Sequence, residues 1–285
     1  MCDGDINPGI VETGAVSRRG FVAGAAAIAG VASIAAVENV VERDVSVKTA
    51  DGMADAVLLT PAGKGKWPAA LIWVDIFGLR PVFREMGRRL AAQGYVVLVP
   101  NCYYRVKKAP VIEGAVDFNK PDDRARLMAL RNGLTDVRID GDAHAYLAFL
   151  DSQPQTDTRR KAGVQGYCMG GPLAFRTAAA VPGRIGAVGS FHGGGLTTKE
   201  ANSPHLLIPK TRAAFLVAIA QNDDQQQPES KTILKQAFAA AKRPATVEVY
   251  PADHGWCVPG GNAYNQAAAE KAWAELSRLY KANLG

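Results

Sequence analysis

The chain has 285 residues, 48% hydrophobic and 21% charged, enough for one large α/β domain or two small ones and too apolar for a disordered chain. Its net charge of +6 is unclustered, with no basic run beyond Arg159-Arg160-Lys161 and no aromatic-basic platform, which argues against nucleic-acid binding. The four cysteines, Cys2, Cys102, Cys168 and Cys257, never fall at Cys-x-x-Cys spacing, so neither a zinc site nor a thioredoxin-type motif is expected.

Residues 1–35 read as a twin-arginine export signal. Ser17-Arg18-Arg19-Gly20-Phe21-Val22 matches the pattern, an Ala/Gly-rich apolar run follows to Val37, and Ser33-Ile34-Ala35 offers small residues for cleavage. The expected location is the periplasm or the exterior, with the twin-arginine machinery as partner of the precursor. An uncleaved anchor is the competing reading. Residues 36–285 are expected to form a single, monomeric domain.

That domain opens with partial alternation at Val41, Val45 and Val47, a turn at Asp51-Gly52 and a second strand over 54–60, a hairpin at a sheet edge. The unbroken apolar run 69–74 predicts a strand buried on both faces. A helix carrying Val82, Phe83, Met86 and Leu90 follows, then a buried strand over 95–99, which together make a βαβ unit. Residues 101 to about 124 form a long irregular segment, and such segments after parallel strands are usually functional. Helical spacing is loose between 124 and 150. Strands are predicted at 161–165, 185–191, 213–220 and 246–250, with helices at 173–180, 231–241 and 264–279. The alternation implies an α/β class with a doubly wound, mostly parallel sheet.

Gly166-Tyr167-Cys168-Met169-Gly170-Gly171 lies between a predicted strand and a predicted helix, the context of a nucleophile elbow. A strained turn would lift Cys168 above the sheet, and a Cβ at Gly166 or Gly170 would crowd the backbone. The competing reading is a buried structural cysteine. Chain order then runs nucleophile, acid, histidine. His254 is the only histidine after the acid candidates, which are Asp223 and Asp224. The helix N-terminus and a protonated His254 would favour the Cys168 thiolate, and the acid would hold the imidazole tautomer. The oxyanion donors would be the backbone N–H groups of Met169 and of Ile76. His192, at the end of another strand, is a candidate for the pocket lining.

Five segments together resemble the dienelactone hydrolase (carboxymethylenebutenolidase) family: Gly166–Gly171, Val74-Asp75-Ile76-Phe77-Gly78-Leu79, Cys102-Tyr103-Tyr104-Arg105, Asp224 with Pro228, and Ala252-Asp253-His254-Gly255-Trp256. The resemblance covers about residues 40–283. It implies an α/β-hydrolase fold, a triad of Cys168, His254 and Asp224, cleavage of a small ester or enol-lactone, and no cofactor or metal. It further implies that Asp75 activates the cysteine and that Arg105 binds a substrate carboxylate. Two departures stand out. Asp75 replaces the family's usual glutamate, and Val258 stands where a second arginine would complete a carboxylate clamp, so a less anionic ester is expected. The alternatives are a catalytically weak binding or scavenging protein on the same fold, or a broad esterase or thioesterase. Cys102 and Cys257, both near one edge of the sheet, could pair as a disulfide in an oxidising compartment.

Overall fold

Eight strands run in the order β1-β2-β4-β3-β5-β6-β7-β8, in a computed structural model that describes residues 39–114, 116, 118 and 120–285. The export signal expected over residues 1–35 lies outside these. β1 (Val40–Thr49) and β2 (Gly52–Pro61) form the antiparallel edge hairpin, and β2 pairs antiparallel with β4 (Val96–Pro100). The remaining pairings are parallel, through β3 (Ala69–Trp73), β5 (Ala162–Tyr167), β6 (Ile185–Phe191), β7 (Ala214–Ala220) and β8 (Ala245–Tyr250). The central strands are predominantly apolar because both faces are covered; every residue of β3, β4, β5, β6 and β7 is buried, Gln165 and Ser190 included.

From β3 the chain crosses one way to β4 through α1 (Pro81–Ala91). From β5 it crosses the other way to β6 through α4 (Gly170–Ala180). Right-handed crossovers in opposite directions put α1 and α4 on opposite faces. α7 (Gln266–Asn283) joins α1, where the Arg89 guanidinium stacks over Trp273 and pairs with Glu270. α3 (Asp136–Asp151) joins α4 through Arg176 and Asp140. The reversal of direction between β3 and β5 is a topological switch point, where open α/β sheets place their ligands.

The irregular stretch predicted up to Arg124 ends sooner, at α2 (Pro121–Asn132), whose start is set by Pro121. Two elements lack a sequence forecast. One is a 3₁₀ helix, Pro204–Lys210; the other is a short helix α5, Gln221–Gln226. α6 (Ser230–Ala240) follows α5 closely.

Candidate active site

Parallel register sets the site. Gly166 on β5 is level with Trp73 on β3 and with Ser190 on β6. The residues just beyond those strand ends, Asp75, Cys168 and His192, therefore emerge side by side at one edge. Ala220 and Tyr250 are paired at the ends of β7 and β8, so α5 and the loop carrying His254 also leave the sheet together.

Cys168 has φ 54°, in the left-handed region that costs a side-chain-bearing residue free energy. The elbow's glycines are what make the turn closable. A Cβ at Gly166 would stand 1.9 Å from the Gly170 carbonyl oxygen, and one at Gly170 would stand 2.4 Å from the Trp73 oxygen. The turn is tied to β6 by the Cys168 N–H, which donates to the Phe191 oxygen at 3.0 Å.

His254 is held at two points by α5. Its N–H donates to Asn222 Oδ1 at 2.8 Å, and its Nδ1 lies 2.7 Å from Asp223 Oδ2. Cys168 stands beside the ring, with its Sγ and a ring nitrogen of His254 within 4.8 Å of one another. Burial pushes the imidazole pKa down, but hydrogen bonds and charge from Asp223 and Cys168 outweigh it and raise the value to about 10. His254 thus favours its cationic form near neutral pH, poised between the Asp223 carboxylate and the Cys168 sulfur.

The acid on the imidazole is Asp223, not the expected Asp224. The physical reason is α5. Successive residues on a helix point about 100° apart, so only one of two adjacent aspartates can face the histidine. Asp224 turns towards α6 instead, where Lys231 Nζ meets its Oδ2 at 2.6 Å.

Arg105 does not reach the site. It makes a bidentate pair with Asp142 of α3, at 2.8 Å on both oxygens, and a further bond to Asp51 at 2.7 Å. Tyr104 joins the same group through Asp142 and Thr49. This end of the Cys102–Arg105 segment pins the long loop to α3 and to the edge hairpin; it is an anchor, not a substrate clamp.

Asp75 is near the thiol but engaged elsewhere. Both its oxygens are held by Arg80, at 2.5 and 2.7 Å, and Oδ1 also accepts the Phe77 N–H at 3.0 Å. No hydrogen bond joins Asp75 to Cys168 among the described residues. Arg80, which the sequence reading passed over, packs against Phe77 and Phe83 and lines the same cavity. Its signal was available as a basic residue five positions after Asp75, on the same turn.

Ile76 and Met169 are drawn together by Tyr103, a second residue the sequence reading left without a role. Its fully buried hydroxyl donates to the Ile76 carbonyl at 2.9 Å and lies 3.2 Å from Met169 Sδ. Neither the Ile76 nor the Met169 N–H has a hydrogen-bond acceptor among the described residues. Both donors are free to meet an oxyanion.

A cavity of about 510 Å³ opens above Cys168. His192 lines it as expected, and Phe77, Val82 and Val258 set apolar surface there beside the paired Asp75 and Arg80. Cys102 and Cys257 do not pair. Both are free and buried, and desolvation pushes both thiols up.

A cysteine on a glycine-flanked elbow, an imidazole on its far side and an acid behind the imidazole, all at the C-terminal edge of a parallel sheet, define an α/β hydrolase. The dienelactone hydrolase family profile matches residues 54–284, and the chain belongs to that family. It is 30% identical over 237 residues to a carboxymethylenebutenolidase of a Pseudomonas species, covering 81% of this chain and 90% of that one. It is 28% identical over 212 residues to carboxymethylenebutenolidase 1 of Cupriavidus pinatubonensis, covering 74% and 85%. Among solved structures it is similar to a dienelactone hydrolase-like promiscuous phosphotriesterase from metagenomic libraries, with TM-score 0.72 and 22% identity over 87% of this chain and all of that one. A dienelactone hydrolase from Anabaena variabilis superposes with TM-score 0.58 at 18% identity, over the same shares of the two chains. The protein is an ester and lactone hydrolase.

Proposed function

We propose that the chain cleaves a small enol-lactone or related ester through Cys168, with His254 as proton carrier and Asp223 as the group that orients it. The observation that carries this reading is the unbroken line from Asp223 through His254 to Cys168, ending in a cavity large enough for a small ester. Cys168 sulfur attacks the acyl carbon, and the negative oxygen meets the Ile76 and Met169 N–H groups. His254 gives its proton to the departing alkoxide or enolate. It then takes a proton from the water that attacks the thioester, the acyl group leaves as the acid and the sulfur as thiolate, and the resting pair of thiolate and imidazolium is restored.

The charges around the pocket favour a neutral or weakly anionic substrate. Arg105 is spent on Asp142, Val258 is apolar, and Arg80 is already neutralised by Asp75. We further propose export by the twin-arginine route and cleavage near Ala35, supported by the Ser17–Val22 pattern, and a monomeric mature chain. Replacing Arg18 and Arg19 by lysine should strand the precursor in the cytoplasm.

The test is turnover of a dienelactone and a panel of p-nitrophenyl esters by reduced protein, beside Cys168→Ala, with intact mass followed in parallel. Steady turnover abolished in Cys168→Ala supports the reading. Stable acylation without turnover points to a scavenging protein. Activity retained in Cys168→Ala refutes it.

A further inference from the structure

His192 is expensive to keep where it is. It is 1% exposed, and neither ring nitrogen has a hydrogen-bond partner. Burying an unpaired polar group costs about 1–3 kcal/mol. Its backbone adopts φ 39°, a second cost for a residue with a side chain. The ring is no remote packing piece. It stands edge-on to His254 with centroids 4.7 Å apart. One ligating atom each from Cys168, His192 and His254 lies within 4.8 Å of the others.

We propose that Cys168, His192 and His254 form a binding site for a thiophilic divalent cation of the zinc class, and that its occupancy switches the hydrolase off. The donor set of one sulfur and two imidazoles suits such a metal, and all three residues line the same cavity. Tetrahedral zinc with these ligands needs donor separations of about 3.4–3.6 Å, so side-chain movements of about 1 Å would close the site. His254 already has what a metal-bound histidine usually has, a carboxylate on its other nitrogen, here Asp223. Cysteine spacing along the sequence gave no hint of this, because the three ligands come from three different strand ends.

The proton balance is simple. At rest the Cys168–His254 pair shares one proton. The incoming cation takes the thiolate and the free His254 nitrogen, and that proton goes to solvent. The same metal-bound sulfur can no longer attack an acyl carbon, so inhibition should be reversible by chelation. The inhibitory part rests on the hydrolase reading above; the binding part does not.

The test uses the reduced, full chain titrated with Co2+ and then with Zn2+. Binding of Co2+ should produce one equivalent of thiolate-to-metal charge-transfer absorption, which Zn2+ should displace. The band should be absent in Cys168→Ser. In His192→Asn, an amide that tolerates the left-handed backbone, the dissociation constant should rise at least about tenfold. His192→Gln serves as a second variant, and unchanged circular dichroism certifies each fold. Zn2+ should abolish ester turnover and chelator should restore it. An absent band in folded protein, or wild-type affinity in both His192 variants, overturns the site. A band that forms without inhibition overturns the switch, and a band in a chain that hydrolyses nothing separates this site from the hydrolase reading.

Discussion

Exchanging the two adjacent aspartates one at a time decides which of them serves His254. In Asp223→Asn the 2.7 Å contact to Nδ1 loses its charge. A charge-assisted bond is worth about 1.5–3 kcal/mol and a neutral one about 0.5–1.5. The difference of about 1–1.5 kcal/mol sets a floor of about fivefold on the loss in kcat/KM. An amide that presents its NH2 to the ring also selects the wrong tautomer, and that error carries the loss towards about 10⁴-fold. Asp224→Asn removes only a contact to Lys231, whose side chain is 37% exposed. Such a pair is worth about 0–1 kcal/mol of stability, and kcat/KM should stay within about twofold. Initial rates on a p-nitrophenyl ester give the comparison, and imidazole NMR titration gives its cause. The His254 pKa, raised to about 10 with Asp223 beside it, should fall in Asp223→Asn. The sign for stability follows. A raised imidazole pKa stabilises the fold fully below the unfolded value of about 6.5 and loses that contribution as pH rises through about 10. The difference in melting temperature between wild type and Asp223→Asn should therefore shrink across that window. A crippled Asp224→Asn beside a near-normal Asp223→Asn would refute the assignment.

Three further outcomes are expected. Arg105→Ala leaves Asp142, 1% exposed, without its cation, and should cost about 3–5 kcal/mol by denaturant unfolding while KM for anionic esters stays unchanged. Tyr103→Phe strips the Ile76 carbonyl of its donor at about 1–3 kcal/mol and loosens the segment carrying one oxyanion N–H, so kcat should fall with little change in KM. Iodoacetamide at neutral pH should modify Cys168 ahead of Cys102 and Cys257, which burial keeps as thiols; peptide mapping before and after unfolding reads this directly.

The sheet was legible because parallel strands buried on both faces leave unbroken apolar runs, as at Ala69–Trp73 and Ala214–Ala220. The elbow was legible because only glycine fits at 166 and 170. What failed was local geometry without an apolar signature. Gln221–Gln226 is polar throughout, so nothing in its pattern separates a helical turn from a loop. Yet that one turn decides between Asp223 and Asp224. Arg105 failed for a different reason. Its motif is intact, but its partner Asp142 lies 37 residues away on α3 and is brought to it only by the fold. A motif names a residue type at a position; the neighbour that neutralises it is set by packing.

Asp75 carries the same lesson into the chemistry. To act on the thiol its carboxylate would have to leave the Arg80 fork and the Phe77 N–H. Giving up the two Arg80 bonds alone costs about 3–6 kcal/mol. That leaves the freed carboxylate at a population of about 10⁻² to 10⁻⁴. His254, by contrast, already stands beside Cys168 and already favours its charged form. Activation of the resting cysteine therefore falls to the histidine, and the shorter side chain at position 75 is explained by its work for Arg80. Together Asp75 and Arg80 put a mutually neutralised pair into the cavity lining, beside the apolar Phe77 and Val82.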